Sequence, residues 1–324
     1  MQFLDVKTDY AFKKVFGSEN SKPILLSFLN ALLDFNGEVI TDLTIVDPYQ
    51  IPLIQGMKDS YVDVKATLSN RTQVIIEMQV LNVEGFEKRI LYNAAKSYSS
   101  QLAKGEDYTL LNPVIALTLT DFVMFREFNK MISHFKLLEK QYLLNYSNDI
   151  ELIFIELPKF TKMESELETL MDKWLYFVKN AGSLAYIPVT LKENQEIVEA
   201  FDIANTAALN QAELEAQERR HDFIRLQRGA VQLAKKEGIK EGLEQGLKQG
   251  LEQGKLEGKQ EGLELGKLEG KQEGLELGKL EGKQEGKQEA MEEVAKCLLR
   301  MGLDRQTVMA TTQLSEEILN RLTN

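Results

Sequence analysis

Histidine and cysteine are almost missing from this chain of 324 residues, which holds only His134, His221 and Cys297. A lone thiol forms no internal disulfide, and so few imidazole and thiol groups exclude a zinc cluster and leave little scope for a histidine-centred triad. Positive charge is also short: 39 Lys and Arg against 50 Asp and Glu give a net charge of −11. That balance argues against broad attraction to nucleic acid, although local basic patches survive in acidic proteins. No apolar run approaches eighteen residues, and no N-terminal stretch has the charged start and apolar segment of a leader. We therefore expect a cytoplasmic protein with no membrane span. No Gly-x-x-x-x-Gly-Lys-Ser/Thr pattern follows a strand, so a P-loop is excluded. What remains is ample: a hydrophobic content of 43% supports a substantial core.

The first part mixes two periodicities. "DYAFKKVFG" and "SKPILLSFLNALL" have helical spacing, with Ser21 placed as an N-cap and Pro23 tolerated in the first turn. "LTIVDP" reads as a short strand ended by Pro48, and residues 84–104 read as a helix closed by Gly105. "NPVIALTLTDF" and "DIELIFIELPKF" read as buried strands. From about Lys162 the pattern turns helical, no proline follows Pro188, and Trp174 in "MDKWLYFVKN" is expected in the core.

A tandem array lies within that half. From Gly238 to Gly286 a glycine stands at every fourth position, and "GLELGKLEGKQE" (262–273) recurs letter for letter at 274–285. Leucine, glutamate, lysine and glutamine favour helix, whereas each interior glycine costs about 1 kcal/mol relative to alanine. Two readings stay open: helices of several copies meeting along glycine, or a solvated spacer. The last segment, from "EEVAKCLLRMG" onward, reads as short helices capped by Asp304 and Ser315. Its spacing is faintly that of a helix-turn-helix, but capped helical pairs are common and it lacks a basic face, so DNA reading there is the lesser alternative.

The chemistry centres on Tyr61–Val80, "YVDVKATLSNRTQVIIEMQV", two alternating runs around a polar turn. With the turn at Ser69, Asn70 and Arg71, pairing is symmetric about position 70 and Asp63 faces Glu77. Even-numbered residues, Val62 included, then share an apolar face, and Asp63, Lys65, Glu77 and Gln79 share the other. Facing carboxylates repel. Either the face is wet, with Lys65 diagonal to Glu77 softening the repulsion, or the pair holds a divalent cation, for which Mg2+ takes carboxylate oxygens and substrate phosphate.

A strand bearing Asp followed by one bearing an acid-x-lysine triplet resembles the active site of the PD-(D/E)XK nucleases, with core order α-β-β-β-α-β. More specifically, "KTDYAFKKVFG", "DVKATLSNRTQVIIEMQ" and "KRILYNAAKSYSSQLAKGEDYTLLNPVIALTLTDF" resemble the recombination-promoting nuclease family, also described as PD-(D/E)XK nuclease family transposases. The resemblance implies an α/β nuclease core over residues 1–160, with a central mixed sheet flanked by helices. A helical region (161–236), the Gly-x-x-x segment (237–289) and short C-terminal helices (290–324) follow it.

By the same resemblance Asp63 and Glu77 bind Mg2+ or Mn2+, and Gln79 stands where the wider superfamily has lysine, in the Glu-x-Gln form of this family. Glutamine brings no positive charge to the transition state, a role Lys65 could partly assume. Asp9 adds an outer carboxylate, or serves only as a helix cap or first-turn acid. Arg89, Asn93, Lys96 and Ser100 share a helix face. Arg89 and Lys96 with Lys13 and Lys14 are the candidate DNA-phosphate contacts, and Lys58 and Arg71 are further cations nearby in sequence. The implied activity is a metal-dependent DNA endonuclease serving recombination or defence. The rival reading is a nuclease-fold interaction protein that no longer cuts and whose repeat tail assembles partners or copies of itself.

Overall fold

The computed structural model describes residues 3–35, 37–50 and 60–322. The chain divides into two units, Met1–Leu233 and Ala234–Asn324.

In the first unit, helix α1 (Asp9–Phe16) is capped by Thr8, whose hydroxyl accepts from the Ala11 N–H. Asp9 is therefore a first-turn acid and not the cap. Helix α2 (Lys22–Leu32) follows, with Pro23 in its first turn as expected, although the Ser21 side chain makes no capping bond. The strands β1 (Leu43–Val46), β4 (Val64–Leu68), β5 (Gln73–Gln79), β6 (Val114–Thr120), β7 (Ile132–Phe135) and β8 (Ile150–Glu156) form one mixed sheet in the order β1-β4-β5-β6-β8-β7. A small ribbon pairs β2 (Tyr49–Gln50) with β3 (Ser60–Tyr61). Helix α3 (Phe86–Ser99) makes the crossover that lets β5 and β6 run parallel.

The sheet is covered on both faces. Even-numbered hairpin residues Val64, Ala66, Val74, Ile76 and Met78 join a large core with Phe12, Phe16, Phe28, Trp174 and Phe201. That core takes in helices α4 (Leu170–Asn180) and α5 (Gln195–Ile203), and Trp174 is fully buried in it. On the opposite face Ile75 packs with Phe86, Ile90, Ala94, Ala116 and Phe154 beneath α3. Val62 departs from the expected alternation and joins this second cluster. The backbone bends at Asp63, between β3 and β4, so the residues before it no longer follow the pleat of β4.

Two further expectations need correction. Helix α3 ends at Ser99, well before Gly105, because Gln101 turns away to bond both the N–H and the C=O of Asn112. The edge strand β7, absent from the sequence reading, is short, and only Ser133 in it is buried.

Helix α6 (Gln211–Arg300) begins in the first unit. There Glu213 accepts from Lys14 and Tyr10, Thr8 donates to Gln217, Arg220 donates to Asp9 and Arg228 to Asp121. In the second unit α6 stays helical through all the spaced glycines, where a flexible spacer had been one expectation. A Cβ built on any glycine from Gly238 to Gly286 meets nothing within 4 Å, so no close neighbour requires glycine there. The end of α6, α7 (Arg305–Thr312) and α8 (Glu316–Leu322) enclose a small core of Ala295, Val308, Leu314 and Leu319. Asp304 caps α7 by accepting from the Thr307 N–H. No described helix is long and apolar enough to cross a membrane.

Candidate active site

The hairpin register brings the two acids together. Val64 pairs with Ile76 and Thr67 with Gln73, and Asp63, one residue before this ladder, lies beside Glu77 with its carboxylate on the Met78 N–H. Arg71 at φ 69° and a hydrogen bond from the Leu68 N–H to the Thr72 carbonyl close the turn that sets this register.

Each carboxylate oxygen has a donor. Asp63 Oδ2 accepts from the Met78 N–H at 2.8 Å, and its Oδ1 lies 3.3 Å from Lys13 Nζ. Glu77 Oε1 accepts from Asn93 Nδ2 at 2.6 Å and Oε2 from Arg89 Nη2 at 3.3 Å. The same guanidinium donates to Gln79 Oε1 at 2.8 Å, while Gln79 Nε2 donates to the Leu81 carbonyl. Gln79 is thus oriented from both ends, with the positive charge of Arg89 directly beside it. Asn93 is 1% exposed, and its Oδ1 has no donor among the described residues.

Burial dominates the electrostatics. It pushes both carboxyls above their ordinary range, against the lowering influence of the Met78 N–H and Lys13 on Asp63, and of Arg89 and Asn93 on Glu77. Asp9 raises Asp63 further, and Asp63 raises Glu77. Each acid thus has one cation beside it, Lys13 at Asp63 and Arg89 at Glu77, and desolvation outweighs both.

Not every candidate reaches this site. Lys13 and Arg89 do. Lys96 is buried, with its ammonium donating to the Gln50 carbonyl at 2.7 Å, so it offers no surface charge to a phosphate. Lys14 is occupied by Glu213 and Tyr10. Burial lowers the pKa of Lys65, and the carboxylate acting on it is Asp47, just past the end of β1. Asp9 is paired with Arg220 at 2.7 Å, and among the described residues no third carboxylate, histidine or cysteine joins the pair. Lys58 lies outside the described residues. Asn93 was noted only as a member of the α3 face. Its contact with Glu77 depends on the crossover seating α3 over β5, for which the local sequence carries no signal.

The donor set suits a hard divalent cation. Two neighbouring carboxylates, Glu77 buried and Asp63 partly so, supply oxygen ligands, with water and substrate phosphate left to complete the shell. A mixed sheet flanked by helices, with an Asp and a Glu-x-Gln facing across one hairpin, is the architecture of a nuclease core. The chain matches the PD-(D/E)XK nuclease family transposases over residues 6–234, and it belongs to that family. Residues 287–324 match the C-terminal HTH domain of the Rpn/YhgA-like nuclease family. The faint helix-turn-helix spacing, the lesser alternative from sequence for want of a basic face, is thus the one this match supports. No curated protein and no solved structure matches the chain.

Proposed function

We propose that this protein is a Mg2+-dependent DNA endonuclease. The carrying observation is the neighbouring pair Asp63 and Glu77 at the open end of the hairpin, largely withdrawn from water and flanked by cations from α1 and α3. A divalent cation held by the pair would polarise the scissile phosphate and lower the pKa of a water ligand. Asp63 and Glu77 would hold it, and the Met78 N–H and Asn93 keep their carboxylates aimed. Arg89 and Lys13 bring positive charge to the phosphate's surroundings, and Arg89 supplies beside Gln79 the charge that glutamine lacks. The helix-turn-helix match supports DNA as the partner. Cutting in the service of recombination or of defence against foreign DNA accords with the family.

The test is nicking of supercoiled plasmid by the full chain with Mg2+, Mn2+ or EDTA. Cutting should need metal and disappear in Asp63→Ala and Glu77→Ala. Arg89→Ala should lower the rate by about 10²-fold or more, the loss typical of one electrostatic donor at a transition state. Wild-type cutting no greater than that of the carboxylate variants would sink the reading. We further propose that copies assemble through the repeat, whose leucines, among them Leu247, Leu256, Leu268 and Leu280, are exposed. Sedimentation of the full chain as a monomer at micromolar concentration would refute this.

A further inference from the structure

Beside the carboxylates lies a cavity of about 610 Å3 whose lining includes Tyr61, Phe86, Lys88, Arg89, Tyr92 and Asn93. Its size falls in the range of small-molecule sites, about 300–1,000 Å3. Two of its residues, Arg89 and Asn93, are the side chains that hold Glu77, so whatever enters sits next to the reacting groups.

Three features define what fits. Tyr61 is stacked on Tyr49, its register partner in the β2–β3 ribbon, with ring centroids 4.6 Å apart and planes 25° from parallel. Although backed in this way it remains 65% exposed, and it precedes Asp63 by only two residues. A fixed, exposed aromatic ring is the platform on which proteins stack unpaired bases. Lys88 is exposed on the cavity wall beside Arg89, so two cations, Arg89 also paired with Glu77, face the one acid of the lining, Glu84. Finally, Asn93 of the lining donates to Glu77 Oε1, which ties the cavity to the acidic pair.

We propose that this cavity receives one unstacked nucleotide of a DNA strand, its base on Tyr61 and its backbone passing Arg89 toward Glu77. The substrate is then single-stranded or locally unpaired DNA in preference to intact duplex, because a paired base stays inside its stack and cannot reach the ring. This rests on the nuclease reading above and adds the strand type to it.

The test is a titration of the full chain, in EDTA, against three fluorescein-labelled oligonucleotides followed by anisotropy: a single strand, its perfect duplex, and the duplex with one mismatch. The wild type should bind the single strand at least tenfold more tightly than the duplex, with the mismatch between them. Tyr61→Ala should lose about tenfold on the single strand alone, as removal of one stacking platform does, while Tyr61→Phe keeps the affinity. Lys88→Glu, which leaves the Tyr49 stack untouched, should also weaken single-strand binding. Equal affinity of the wild type for single strand and duplex, or Tyr61→Ala and Lys88→Glu indistinguishable from the wild type, would overturn the proposal. Because no cutting is needed, the two readings fail separately. Selective, Tyr61-dependent binding without cleavage would sink only the nuclease, and cleavage without that dependence only the cavity.

Discussion

Asp63 and Glu77 oppose the stability of the fold that holds them. Burial raises both pKa values, so folding takes up protons at these sites relative to the unfolded chain. Their contribution is most favourable below the ordinary carboxylate pKa, about 4, and is lost as pH rises through the raised folded values. In metal-free protein at neutral pH, Asp63→Asn and Glu77→Gln should therefore melt higher than the wild type. The difference should shrink as the pH falls toward 4. A chemical melt series in EDTA across that range checks the sign, and carboxamide variants that are less stable at neutral pH would contradict it. Arg89 belongs to the same balance. It lowers the pKa of Glu77, so Arg89→Met should raise that pKa further and move the acid limb of any pH–rate profile upward.

Among the elements, the hairpin turn is the most sensitive. Arg71 holds φ 69°, a conformation that glycine adopts without strain, so Arg71→Gly should be neutral to stabilising where most turn substitutions cost stability. In the second unit, Asp304→Ala removes the cap of α7 and should cost about 1 kcal/mol, read as a loss of C-terminal helix protection in hydrogen exchange. Alanine at Gly258, Gly262 and Gly266 meets open space and should raise the thermal stability of the α6 helix signal, by about 1 kcal/mol per site. The parts legible in the sequence were those whose cause is local. Alternation around a polar turn gave the facing acids, and apolar helical spacing gave α1, α2 and the burial of Trp174. What escaped depends on distant partners: the end of α3 is set by Asn112, the burial of Lys96 by Gln50, and the role of Asn93 by the seating of α3 on β5. The bend that turns Val62 to the other face also left no mark in an unbroken alternating run.

At the scale of the molecule, the first unit is tied to the start of α6 by charge as well as packing. Hydrogen bonds from Lys14 and Tyr10 hold the Glu213 carboxyl down to about 2. A depressed acid contributes stability that is full above its unfolded pKa and is lost as pH falls from there through the folded value near 2, the opposite of the Asp63 and Glu77 pair. Glu213→Gln should therefore lower the melting temperature at neutral pH, with the deficit closing in acid. A constant deficit at every pH would mean that lost packing, and not charge, is responsible. The hairpin register also bears on how this gene can vary in length. Asp63 meets Glu77 only because their positions sum around Asn70, so one codon gained or lost between them reverses the parity of a strand and sends an acid toward the apolar core. A twelve-residue unit added or deleted between Gly238 and Gly286 touches no residue around either acid. Inherited length changes should accordingly collect in the array, in whole units, and be purged from the hairpin.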